Sequence, residues 1–304
     1  MNNSLSALDI KSIMNKAWQL GIVIPGFNIP YLPMMEPVVK ALVKTSTFGL
    51  IMVARLEWIK FESGSMKSIR DEYEKLKDLR FTRLHLDHVP VIDEDGLMTD
   101  YEHIIREAIN LGYNSVMLDG SRLTLEDNIE KSHKIALLAH EAGIPIETEL
   151  GAVMGHESGP LPPYEELFTS GKGFTSSVEA SRFVRETETD WLSVAIGNIH
   201  GAISSAARVG KKPEARLDID HLKTINDSVR IPLVLHGGTG ISKAYLMESF
   251  KKGIAKINIA TAIRQPYERL MNDSVKKAQE AVYFEMLDIL NNQIEIAGSA
   301  QILL

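Results

Sequence analysis

Eight short runs rich in β-branched and apolar residues alternate with longer amphipathic runs along almost the whole chain, a rhythm that restricts the fold more than any other feature. The short runs fall at 21–28, 49–55, 82–88, 115–119, 145–150, 191–197, 231–236 and 254–259. Runs of this kind read as strands. The spacers, such as 101–111, 125–142 and 178–186, carry apolar residues at helical intervals, and Ala142-Gly143-Ile144-Pro145 is a helix stop placed directly before a strand. Eight parallel-type strands with helical spacers in about 250 residues is the layout of a closed (β/α)8 barrel. The expected fold is therefore α/β, a (β/α)8 TIM barrel forming one domain over 1–304. Residues 266–304 are a C-terminal helical extension, with one helical stretch expected over 266–292, packed on the barrel or on a partner subunit.

Two segments interrupt the rhythm, 89–99 and 152–175, and both follow the C-terminal end of a strand. The second is rich in Gly, Pro and Ser and suits a mobile lid. The chain holds 33 basic against 40 acidic residues, and no Lys/Arg block is long enough to track a nucleic-acid backbone. No segment stays apolar for the ~20 residues needed to span a bilayer, and the N-terminus lacks a basic region before an apolar run. These features predict a soluble cytoplasmic protein without nucleic-acid or membrane partners. Cysteine is absent, so any metal must be held by His, Asp or Glu, and the nine histidines become the informative residues.

In a barrel of this type the C-terminal strand ends converge on one mouth. The third strand run ends in Asp87-His88, the fifth in Glu147-Thr148-Glu149, the sixth leads through Gly197-Asn198-Ile199 to His200, and the seventh ends in His236. A single histidine at a strand end is usually structural. Three that converge, with no thiolate to compete, form a set that binds Zn²⁺ and leaves a position open for substrate. His103, His133, His140 and His221 sit in helical stretches and are read as structural. Glycines and a threonine follow His236 in Gly237-Gly238-Thr239-Gly240, and the eighth strand leads into Asn258-Ile259-Ala260-Thr261. Freed backbone amides beside hydroxyls make a phosphate cradle in the loops where many barrels bind phosphate.

The segments Pro25-Gly26-Phe27-Asn28, His85-Leu86-Asp87-His88, Ser115-Val116-Met117-Leu118-Asp119-Gly120-Ser121, Glu149-Leu150-Gly151, Ala195-Ile196-Gly197-Asn198-Ile199-His200-Gly201, Leu235-His236-Gly237-Gly238-Thr239-Gly240 and Lys256-Ile257-Asn258-Ile259-Ala260-Thr261 stand in this order. Together they resemble the class II, metal-dependent ketose-bisphosphate aldolases of the fructose and tagatose branches. The resemblance implies that His88, His200 and His236 bind a catalytic Zn²⁺, that Asp87 exchanges the proton of the C4 hydroxyl, and that Asp119 and Glu149 line an alternate or second metal position. It matches Glu157 to the family's lid glutamate. Asn28, Gly201, Gly237, Gly238, Thr239, Asn258, Ile259, Ala260 and Thr261 match positions that bind substrate or its phosphate, with Thr239 where a serine is usual. The implied reaction is reversible cleavage of a phosphorylated ketose to dihydroxyacetone phosphate and an aldehyde through a Zn²⁺-stabilised enediolate. A monovalent cation, Na⁺ or K⁺, commonly sits beside the phosphate in such enzymes. A homodimer or homotetramer is the implied assembly.

Two features depart from that pattern. Arg55 stands at the end of the second strand run, where a small hydroxyl or amide residue is usual. It either reads a substrate carboxylate or phosphate or pairs with Glu57 or another surface acid. The segment 89–99 is longer than usual and either walls the pocket for the aldehyde half or forms a solvated surface loop. Three functions remain open at this level: a ketose-bisphosphate aldolase, an aldolase of the same mechanism acting on another phosphorylated sugar or sugar acid, and a non-catalytic phosphosugar-binding subunit.

Overall fold

The computed structural model describes residues 9–93, 95–151, 164–198 and 215–304. Among these, eight parallel strands close into a barrel in sequence order: β1 (Ile24–Asn28), β2 (Gly49–Ala54), β3 (Thr82–Pro90), β4 (Ser115–Asp119), β5 (Ile146–Leu150), β6 (Trp191–Val194), β7 (Leu233–Leu235) and β8 (Ile254–Ile259). Around them run α1 (Ile10–Leu20), α2 (Met35–Thr45), α3 (Arg55–Lys60), α4 (Met66–Leu76), α5 (Tyr101–Asn110), α6 (Leu125–Glu141), α7 (Tyr164–Ser170), α8 (Ser177–Thr187), α9 (Ile219–Val229), α10 (Lys243–Phe250), α11 (Thr261–Leu270), α12 (Val275–Asp288) and α13 (Ser299–Leu303). Each expected strand is present. The helices expected over 101–111, 125–142 and 178–186 agree to within a residue or two, and caps set such ends: Thr124 accepts the amide of Asp127 to open α6, and Gly21, left-handed at φ 65°, closes α1.

Alternation along the strands sorts side chains into two apolar bodies. Phe27, Ile51, Leu84, Leu86, Val116 and Ile257 pack outward beneath the helices. Ile24, Leu50, Met52, Trp191 and Val234, mostly from the early parts of their strands, join Ile13 and Met14 of α1 and Leu303 of α13 in a second cluster. This cluster fills the lower barrel and seals its N-terminal end. A Cβ at Gly26 would meet Met52 Sδ at 2.3 Å, so glycine leaves room for that side chain to cross the interior as it does. Above this floor the inward positions turn polar, with Asn28, Asp87, Glu147, Glu149, His236, Lys256 and Asn258 all buried.

Several strand boundaries differ from expectation: β1 begins at Ile24 rather than 21, β5 at Ile146 rather than 145, and β7 spans only Leu233–Leu235. β3 continues through Pro90, β6 stops at Val194, and β2 stops at Ala54 because Arg55 opens α3. The C-terminal stretch expected over 266–292 is not one helix. α11 begins immediately after β8 and carries Pro266 in its interior; Asn272-Asp273-Ser274 then breaks the chain, and Ser274 caps α12 by accepting the amide of Lys277. α12 ends in a π turn, Ile289–Gln293, and packs against α2 and α11. No helix among the described residues is long and apolar enough to cross a membrane.

Phe183 on α8 is fully buried in the outer cluster, far along the chain from the polar strand ends. Phe183→Ala should cost about 3–5 kcal/mol of unfolding free energy, read as a lower urea midpoint at unchanged slope.

Candidate active site

Asp87 and His88 are neighbours on one strand, and strict alternation would send them to opposite faces. A bulge prevents this. Leu86 pairs with Val116 and Val89 with Leu118, a step of three residues on β3 against two on β4, and His88 takes a left-handed φ of 25°. Both side chains thereby reach one point, where the ligand atoms of Asp87, His88 and His236 lie within 4.8 Å of one another.

His88 and His236 meet edge to face with ring centroids 4.4 Å apart. His88 Nδ1 lies 3.3 Å from Asp119 Oδ2 and 3.9 Å from Glu149 Oε2, and His236 Nδ1 lies 3.2 Å from that same glutamate oxygen. Glu149 Oε2 is buried and makes no hydrogen bond among the described residues. Asp119 is oriented by Ser121, whose amide and hydroxyl donate to Oδ1 at 3.0 and 2.6 Å. Burial alone would push the His88 imidazolium pKa down, but Asp87, Asp119 and Glu149 outweigh it and raise it to about 10. For Asp119 burial acts upward, yet the hydrogen bond and charge of His88 hold the carboxyl below its usual range. The mouth of the barrel therefore stabilises positive charge where these groups meet. Two imidazoles with carboxylates, and a buried carboxylate oxygen aimed among them, fit a divalent cation of the zinc type.

Asp87 is held differently. Asn28 Nδ2 donates to its Oδ2 at 3.0 Å and Asn258 Nδ2 to its Oδ1 at 2.9 Å. Burial raises the Asp87 carboxyl, but His88, Lys256, His236 and His85 more than offset it and keep the group ionised, as a base must be. Beneath, His236 Nε2 pairs with Glu147 Oε1 at 2.8 Å, and Glu147 Oε2 accepts from Trp191 Nε1 and Lys256 Nζ, each at 2.7 Å. His85, Asp87 and Glu147 form a further cluster with metal-like spacing, but there the cation is the Lys256 ammonium. His85 is fully buried with Nδ1 2.8 Å from Ser115 Oγ, and burial with the nearby Lys256 lowers its pKa to about 3, so it supports the interior as a neutral ring.

The chain matches the family model described as fructose-bisphosphate aldolase class-II over residues 8–301. It belongs to the class-II fructose-bisphosphate aldolase family. The fructose-bisphosphate aldolase of Ureaplasma parvum is 27% identical over 284 residues, 92% of this chain and 88% of the relative. That of Streptococcus pyogenes serotype M1 is 28% identical over 287 residues, with the same coverage of both chains. The crystal structure of the YdjI aldolase from Escherichia coli K12 superposes with a TM-score of 0.73 at 26% identity, covering 96% of this chain and 98% of that one. The protein is thus an aldolase, a carbon–carbon lyase of a metal-dependent family.

Of the residues singled out in the sequence, Asn28, Asp87, His88, Asp119, Glu149, His236 and Asn258 come together at the aldolase's mouth. Gly237, Gly238 and Thr239 follow β7, and Ala260 and Thr261 lead from β8 into the N-terminus of α11 beside Ile259. A Cβ on Gly238 would meet Ile257 Cδ1 at 2.6 Å, so glycine lets this loop lie close against β8 without displacing that side chain. Glu157, His200 and Gly201 lie outside the described residues. Arg55 opens α3 and pairs with Asp93, both half-buried. Within the segment 89–99, of which Glu94 lies outside the described residues, the chain turns back as a short hairpin after β3: Ile92 bridges Met98 antiparallel and the Val91 amide donates to the Asp119 carbonyl at 2.9 Å. His140 contacts Asp190 and His221 the carbonyl of Thr175, in keeping with structural roles. Sequence reasoning passed over Lys256 and Trp191, and it noted Glu147 without a role. The available signal was the period of two, which puts Lys256 on the face of Asn258 and Glu147 on that of Glu149.

Asn258→Ala frees one oxygen of Asp87 without touching the histidines. It should lower kcat by roughly a hundredfold while metal content, measured on the purified protein, stays at the wild-type level.

Proposed function

We propose that this aldolase uses one catalytic zinc ion, held by His88, His200 and His236 with Asp119 and Glu149 at an alternate position, to cleave a ketose bisphosphate reversibly into dihydroxyacetone phosphate and an aldehyde. The observation that carries this reading is the meeting of His88, His236 and a clamped, ionised Asp87 at one buried point of the barrel mouth. A bound divalent ion would supply the Lewis acidity that stabilises negative charge on the ketone oxygen as the bond breaks. Asp87 takes the C4 hydroxyl proton during C3–C4 cleavage: its two amide donors aim the carboxylate, and the surrounding cations keep it ionised and so able to accept. Glu157, at the position of the family's lid glutamate, returns a proton to C3 of the three-carbon product once the aldehyde has left; in condensation these roles reverse. The loop 237–239 and the segment 258–261 at the start of α11 cradle the phosphate on backbone amides, with a monovalent cation beside it.

A second reading of the substrate is favoured by Arg55. β3 lies opposite β7 in the closed ring, with β2 beside it, so a substrate anchored by phosphate at 237–239 extends toward the hairpin carrying Asp93 and toward Arg55. An anionic far end, a carboxylate or a second phosphate, would compete with Asp93 for that guanidinium.

Asp87→Ala should retain zinc by metal analysis yet lose on the order of 10²–10⁴ in turnover, followed by release of dihydroxyacetone phosphate; an unchanged rate would remove Asp87 from proton transfer. His200→Ala should lose both metal and activity, and full zinc occupancy in that variant would count against the three-histidine site.

Arg55→Ser should lose selectivity for ketoses with an anionic far end, ketose bisphosphates or sugar-acid phosphates, over neutral ketose 1-phosphates. Selectivity equal to wild type across such a panel would confine Arg55 to holding the hairpin.

A further inference from the structure

Lys256 is the one described cation wholly enclosed within the barrel, at 0% exposure. Strand alternation on β8 turns it inward on the face of Asn258, one level below the mouth. Its Nζ lies 2.7 Å from Glu147 Oε2 and 3.7 Å from Asp87 Oδ1. It thus stands between the carboxylate that grips His236 and the carboxylate that moves the proton.

The hydrogen bonds of Glu147 divide cleanly. Oε2 is taken by Trp191 Nε1 and Lys256 Nζ at 2.7 Å each, which leaves Oε1 for His236 Nε2 at 2.8 Å. A carboxylate receiving that bond keeps the imidazole proton on Nε2, so the lone pair is on Nδ1, the nitrogen that faces Glu149 and the rest of the cluster. Were Glu147 free to rotate, neither the tautomer nor the ring orientation would be set. From these contacts we propose that Lys256 is a positioning residue for the metal centre: its ammonium locks Glu147, Glu147 fixes the tautomer through which His236 ligates, and the same charge steadies Asp87 from below.

This inference rests on His236 being a metal ligand. It also separates Lys256 from the other use a barrel aldolase could make of a buried lysine, a Schiff base with the substrate ketone. With its ammonium enclosed and paired to Glu147, Lys256 presents no free amine to the mouth.

The test measures zinc affinity of the metal-free protein by competition with a chromophoric chelator, alongside kcat and KM. Lys256→Met should weaken zinc binding by roughly 10–100-fold and lower kcat with KM little changed, since the side chain does not touch substrate. Because a lone Glu147 charge would then be buried, the double variant Lys256→Met/Glu147→Gln removes both charges and keeps the volume. It should fold, by circular dichroism and urea unfolding, and still bind zinc weakly, because a glutamine can present its amide nitrogen to His236. Wild-type zinc affinity in the double variant, with affinity lost in His236→Ala, would overturn the role of Lys256 alone. Wild-type affinity in His236→Ala would overturn the metal-site reading and this inference with it. Borohydride trapping of dihydroxyacetone phosphate on Lys256 would overturn it by the other route.

Discussion

A β-strand shows alternate residues to alternate faces, whereas the metal site proposed for this aldolase needs the imidazole of His88 and the carboxylate of Asp87 side by side. The bulge between Leu86 and Val89 reconciles these demands, because the extra residue on β3 lets Asp87 and His88 share one face. A non-glycine residue at positive φ costs on the order of 1–3 kcal/mol and persists only where its surroundings over-determine it. Here they do. Asp119 meets the His88 ring, and the carbonyl of the same Asp119 accepts from Val91 just beyond the bulge. The strain is thus pinned from both the side chain and the backbone, by a single residue at the end of β4.

The division of the barrel into an apolar floor and a polar upper half gives the bulge its chemical value. Trp191 and Met52 below the site exclude water, so charges above them act in a medium of low dielectric, where each attraction and each unpaired group counts for more. Asp87, Glu147 and Lys256 are all buried there. Such a network is poor evidence for stability, since hydrophobic replacements of buried ion pairs are often as stable or more so. What it supplies is orientation. Asp87 has a donor on each oxygen and Glu147 has three donors, so neither carboxylate can turn without breaking several bonds at once.

Much of this was legible in the sequence, for reasons that differ from residue to residue. The eight strands and the residues at their C-terminal ends follow from periodicity, which depends only on nearest neighbours along the chain. The bulge left no such mark: Leu86-Asp87-His88-Val89 contains no glycine, and its pairing is set by β4. Lys256 sat inside an apolar run whose period of two could have revealed it, but a lysine in a strand reads first as a solvent-facing residue. The break at Asn272-Asp273-Ser274 is made of ordinary turn residues, yet the apolar spacing on either side runs on as though one helix continued. The partner of Arg55 is 38 positions away on a hairpin, and no local pattern predicts that pairing.

That pairing joins the two departures from the family pattern into one feature. Arg55 holds the hairpin through the Asp93 carboxylate, while Arg122, after β4, donates to the Asp93 carbonyl at 2.6 Å. The hairpin is therefore strapped to the ends of β2 and β4 across the end of β3, directly beside His88. Two residues after Arg55, on the same first turn of α3, Glu57 accepts the Ala54 amide at 2.7 Å and approaches Asn28 Nδ2 at 3.4 Å, the amide that also grips Asp87. Burial raises the Glu57 carboxyl to about 8. One turn of helix thus reaches the hairpin through Arg55 and Asp93, and the Asp87 carboxylate through Glu57 and Asn28. A substrate group that drew Arg55 away from Asp93 would act on the turn that also carries Glu57, so the recognition proposed for Arg55 and the orientation of Asn28 share one short run of chain.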